Sequence, residues 1–179
     1  MLKKRFIKFL IISFCFSLLI SSCSNERLES SNLDFLNSPC AFKANVVLNG
    51  SSYEVEIESK DKNNVKITLL TPKSLNGTVL EYNNDKAYLH YGGLTIPLQD
   101  GGYSSKNGIL IIKQILNLSE NEFTGADVLK ESGVKYCVQH YKTELGKVDV
   151  YFIEGAAFPE KILATLGGQS ISITFVNNK

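Results

Sequence analysis

The chain of 179 residues has no tryptophan, one methionine, two histidines and two arginines, Arg5 and Arg27. Each shortage removes a class of function. With both arginines near the amino end, the remainder has no arginine cluster to grip phosphate or carboxylate in bidentate fashion. His90 and His140 are too few for a histidine-rich metal set, and neither stands at ligand spacing from a cysteine, so no metal site is expected. The sequence also lacks GxSxG, HExxH, a P-loop and a dinucleotide fingerprint. No catalytic residue and no cofactor are therefore expected, and the chain reads as a non-enzyme. Gly101-Gly102-Tyr103-Ser104-Ser105 reads as a loop rather than a phosphate cradle.

What is present begins with a leader. Lys3, Lys4, Arg5 and Lys8 form a positive start, and the apolar run from Phe6 to Ile20 follows, in the layout of a secretory signal. The run is short of the roughly 20 apolar residues that cross a bilayer. It closes on Ile20-Ser21-Ser22-Cys23, an aliphatic residue, two small ones and a cysteine. This end resembles the processing site of bacterial lipoproteins. The resemblance implies cleavage after Ser22, a diacylglycerol on the Cys23 sulfur, further acylation of the palmitate kind, and a protein held on the extracytoplasmic side of the cell membrane. The expected organisation is a signal peptide over residues 1–22, a lipidated end and polar tether over 23–40, and one domain over 41–179.

Loss of the leader removes four positive side chains from a whole-chain net charge of +1, leaving the mature chain near −3. A net negative domain does not suit nucleic acid, whose binding depends on displacing phosphate counterions. Of the four cysteines, Cys15 leaves with the leader and Cys23 is spent on the lipid. Cys40 and Cys137 remain, with no spacing that dictates a disulfide, and are read as two separate thiols.

From Ala41 onward the pattern has period two, as half-buried strands require. Phe42, Ala44, Val46 and Leu48 alternate with polar neighbours, and Asn49-Gly50 suits a tight hairpin. Tyr53, Val55 and Ile57 continue inward while Glu54, Glu56 and Glu58 point to solvent, and Val65, Ile67 and Leu69 form a third inward row. Thr71 to Gly77 breaks the alternation. Strands resume over 78–82, 86–91 and 94–98, the last placed at an edge or near a bulge by Pro97. Asn107 to Leu118 is apolar on most faces and is expected as an enclosed helix, with a buried strand as the rival reading because of its isoleucines. Ala126 to Ser132 is expected as a second helix stopped by Gly133. Strands return over 134–141, 147–153, 161–165 and 170–176.

A lipidated cysteine, a polar tether, a meander broken at Thr71-Pro72-Lys73-Ser74-Leu75-Asn76-Gly77, a helical insert and strands ending in Ile171-Ser172-Ile173-Thr174-Phe175 together resemble the LolA-like lipoprotein superfamily. That group includes outer-membrane lipoprotein carriers, mycobacterial lipid-binding lipoproteins and spore-germination lipoproteins of the GerS type. The resemblance implies a mainly β fold: a strongly curved antiparallel sheet, an unclosed barrel, with one or two helices on its concave side. It also implies an acyl chain or a protein partner as ligand. Two departures stand out, since soluble carriers of this type are not lipidated and their lid arginine has no counterpart here. Expected cavity residues are Val46, Val55, Ile67, Ile96, Ile112, Leu116, Val150 and Ile173. The alternative is a protein-binding adaptor for an envelope or spore-cortex enzyme.

Overall fold

The computed structural model describes residues 33, 35, 39–61, 63–83, 86–98 and 108–176. The leader, Cys23, most of the tether, the 101–105 loop and Asn107 lie outside the described residues.

Eleven strands form one sheet. They are β1 (Cys40–Leu48), β2 (Ser51–Asp61), β3 (Asn64–Thr71), β4 (Val79–Asn83), β5 (Lys86–Tyr91) and β6 (Leu94–Leu98), then after a helix α1 (Gly108–Leu116), β7 (Phe123–Glu131), β8 (Val134–Thr143), β9 (Gly146–Ile153), β10 (Lys161–Leu166) and β11 (Gln169–Val176). Their spatial order is β6-β5-β4-β3-β2-β1-β11-β10-β9-β8-β7, and each described pairing is antiparallel. Two meanders therefore meet at one seam. There β1 and β11 pair from Lys43↔Val176 to Leu48↔Ile171, and Asn49 adds a backbone bond to Ser170 of 3.0 Å. β6 and β7 end the row, so the sheet does not close into a barrel.

Alternation in the sequence sets the two faces. On β2, Val55 and Ile57 are buried while Glu54, Glu56 and Glu58 face outward, and Glu58 meets Lys66 at 3.1 Å. Asn49 and Gly50 adopt positive φ of 48° and 86°, the backbone that a two-residue hairpin asks for. The inner faces of both meanders and the helix residues Ile111, Ile112, Ile115 and Leu116 share one core, so the sheet curves around α1. Phe42, Phe158 and Phe175 stack edge to face at one end of it, with centroids 5.0 and 5.7 Å apart. Leu33 and Phe35, from the end of the tether, are buried there too, and Phe35 lies 5.6 Å from Phe158. No described helix is long and apolar enough to cross a membrane.

One expected element is different. Residues 126–132 form no helix; they belong to β7 and its turn. Ser132 and Gly133 take positive φ of 50° and 84°, so Gly133 completes a hairpin instead of ending a helix. The segment is too short to favour a helix without a packed face, whereas pairing with β8 from Gly125↔His140 to Glu131↔Val134 satisfies its backbone on one side.

Candidate functional site

The concave side holds a small apolar hollow of about 180 Å³ between α1 and the β1–β4 part of the sheet. Its walls follow from the register. Val46 opposes Tyr53, Val55 opposes Leu69 and Ile67 opposes Leu80, three cross-strand pairs stacked on one face. Ile112 covers them from the helix, and Leu75, set by the 3₁₀ turn over Lys73–Leu75, closes one side. Of the eight residues expected to line a cavity, the structure gathers Val46, Val55, Ile67 and Ile112 around this hollow.

The other four go elsewhere. Val150 and Ile173 both oppose Ile162, and Leu116 is buried in the same core; these three do not line this hollow. Ile96 is 45% exposed, because β6 is the last strand of its row and nothing described covers it. Val148, Val150, Ile162 and Leu166 are fully buried, and Gly146 lies so close to β10 that a Cβ there would sit 2.0 Å from the Thr165 carbonyl oxygen.

Polar groups on the concave side are few. Lys113 of α1 is buried, its ammonium 5.1 Å from the centre of the Tyr82 ring, a cation–π contact. Tyr141 donates its hydroxyl proton to the Gln139 side-chain oxygen at 2.7 Å, both residues being buried.

The convex side carries the charge clusters. His140 lies between two carboxylates, with Nδ1 2.7 Å from Asp149 and Nε2 3.2 Å from Asp127. The period-two pattern could not find this group, because its members come from three strands whose pairing sequence alone does not fix. His90 sits beside Glu81 at 3.2 Å and bonds Thr95 at 3.0 Å. No described set of three or more His, Cys, Asp or Glu side chains could hold a metal ion. Lys161 donates to Glu131 at 2.9 Å and lies 4.6 Å from the Tyr151 ring centre. The Glu131 hydrogen bond raises the lysine above its ordinary range, while desolvation, with Asp149 nearby, raises the Tyr151 phenol. Cys40 and Cys137 are free thiols, both pushed up by partial burial, which makes them poor nucleophiles.

The two ends of the sheet are also part of the surface on offer. β6 has five residues, includes Pro97 and exposes Leu94 at 64%. β7 has nine residues and no proline, and it exposes Val128 at 59% and Leu129 at 42%, on opposite faces of one strand.

No family model matches the chain, and no curated protein sequence matches it. Solved structures of similar arrangement include a LolA superfamily protein from Nitrosomonas europaea, at 11% identity over 82% of this chain and 89% of that one, with a TM-score of 0.40. The lipoprotein LppX from Mycobacterium tuberculosis is 13% identical over 81% and 89%, with a TM-score of 0.44. The structure of the CwlD amidase from Clostridioides difficile in complex with the GerS lipoprotein matches at 22% identity over 87% and 84%, with a TM-score of 0.40. The open antiparallel sheet wrapped around a helix is the mainly β fold expected from the sequence.

Proposed function

We propose that this chain is a lipoprotein anchored through acylated Cys23, and that it works without catalysis by presenting its folded surface to another protein of the cell envelope. The partner class implied by the sequence resemblance is an envelope or spore-cortex enzyme. One observation carries the choice between a lipid and a protein ligand: the apolar hollow described on the concave side is small. At about 180 Å³ it is smaller than the roughly 300–1,000 Å³ of ordinary ligand pockets. Large apolar side chains lie instead at the sheet margins, on β6 and β7. Exposed apolar groups of that kind are what a protein interface uses.

The test is chemical crosslinking in intact cells of the full chain, followed by mass spectrometry. One envelope protein should recur in independent captures and should be lost with Cys23→Ser, which releases the chain from the membrane. Captures that share no protein would remove this reading. A Cys23→Ser variant that partitions with membranes as well as the parent would remove the anchor.

The apolar lining of the hollow supports a second reading, in which a short length of acyl chain lies beneath Ile112. Chain purified from membranes would then carry a copurifying lipid in native mass spectrometry. Leu80→Trp, which fills the hollow, should abolish it.

A further inference from the structure

We propose that the outward side of β7 accepts an antiparallel strand from a partner protein, and that this strand is basic on the residues facing Asp127 and Glu131 and apolar between them. The inference rests on the protein-binding reading and names the surface used. β7 is the terminal strand of the sheet, and among the described residues only β8 pairs with it. Alternate residues of a terminal strand leave N–H and C=O groups unpaired, and natural proteins usually blunt such strands by shortening, proline, bulges or charged side chains. β6 is blunted by its length and Pro97. β7 has one irregularity, between Phe123 and Gly125, and then pairs regularly with β8 from Gly125 to Glu131.

The register assigns its faces. Asp127 opposes Val138, Leu129 opposes Tyr136 and Glu131 opposes Val134, while Val138 in turn opposes Tyr151 on the convex side of β9. The convex face of β7 is thus acidic, apolar, acidic, with the Asp127 side chain 82% exposed. Its concave side offers Val128 and then Lys130, which already stands opposite Lys135. An added strand meets lowest energy by placing Lys or Arg against Asp127 and Glu131, an apolar residue against Leu129 and Val128, and a carboxylate against Lys130.

A second copy of this chain does not meet that demand. Two identical strands pairing antiparallel about a twofold axis bring residues of the same face together. Centred on Leu129, that sets Asp127 against Glu131 twice. Centred on Asp127, Lys130 or Glu131, it sets a charge against itself, and centred on Val128 it sets Asp127 against Leu129. Centred on Ala126 it sets Asp127 against Gly125, again with no base opposite, so a basic strand from another protein fits β7 better than a second copy does.

The test uses the full-length lipoprotein in nanodiscs of zwitterionic lipid. The probe is a capped peptide with the core Lys-Glu-Leu-Val-Lys, compared with its charge-swapped form Glu-Lys-Leu-Val-Glu. Fluorescence polarisation should show the first binding at least tenfold more tightly, and amide hydrogen exchange should slow over residues 124–131 and not over 94–98. Joint replacement Asp127→Lys and Glu131→Lys should reverse the preference between the two peptides, an outcome that simple unfolding cannot produce. Equal binding of both peptides, binding of neither, or protection confined to β6 overturns the proposal. If crosslinking captures one recurrent partner whose recovery is indifferent to the double variant, the β7 proposal falls while the protein-binding reading stands. If the peptide result holds and no partner recurs in cells, the reverse is true.

Discussion

The two halves of the sheet are built from the same alternating strands, yet they treat space differently. In β8–β11 the strands close on one another, with Ile162 fully buried between Val150 and Ile173, and Gly146 touching the backbone of β10. In β1–β4 the same kind of face is roofed by α1 and a hollow remains beneath Ile112. The difference lies in the cover. Neighbouring strands set matched side chains beside one another on the inner face, whereas a helix of nine residues laid across a curved face leaves a hollow beneath it.

Substitutions can break or sharpen that contrast. The largest effect is expected from Gly146→Ala in the closed half. Its φ is +152°, and the new Cβ would meet the Thr165 carbonyl oxygen at 2.0 Å. Backbone strain and overpacking together should cost about 4 kcal/mol, seen as loss of the cooperative urea transition at ordinary temperature. Ile162→Ala comes next. It deletes a fully buried side chain where walls on three strands resist collapse, so a loss of about 4 kcal/mol, toward the top of the usual range, should appear in chemical denaturation.

Adding volume should separate the halves by sign. Val150→Ile overfills closed interior and should destabilise by about 1–3 kcal/mol, whereas Val55→Ile extends into the hollow and should be neutral or stabilising by up to about 1 kcal/mol. Equal losses in both would mean that the hollow is not usable space.

The smallest effect concerns pH. Asp61 at the β2–β3 turn accepts bonds from the Asn64 side chain at 2.8 and 2.9 Å and from the Asn63 N–H at 2.8 Å. These bonds, the Asn64 side chain foremost, hold its carboxyl below the ordinary range. A carboxyl lowered by folding adds stability above its unfolded value and loses it as pH falls through the folded one. Asp61→Asn should therefore flatten the acid limb of the stability curve slightly below about pH 4, without change at neutral pH. Lys161 has the opposite sign. Its raised value gives stability that is present below the ordinary lysine range and lost as pH rises through the folded value. Lys161→Met should shallow the alkaline limb.

Much of this architecture was legible in the residues. Alternation at Phe42, Ala44 and Val46, Asn49-Gly50 at a hairpin and Pro97 on the last strand of a row all match the folded sheet. The all-round apolar character of Ile109 to Leu116 marked a helix that needed enclosure, and α1 occupies that place. β7 was not legible, because Asp127-Val128-Leu129-Lys130-Glu131 has no clean period and its state is decided by pairing with β8. The cavity was legible only in part. An inward residue such as Val55 and one such as Val150 obey the same pattern, and which of them meets empty space depends on where the helix lies. The contact of His140 with Asp127 and Asp149 was hidden for the related reason that it spans three strands.

The seam between β1 and β11 makes the order of synthesis matter. A chain made from its amino end completes the first meander early, but β1 keeps a bare flank through the making of nine more strands. Only residues 169–176 supply its partner. A stop codon that removed that last segment would leave two ribbons with no hydrogen-bonded join. One of them would offer the length of β1 as a template for any other unfinished chain nearby.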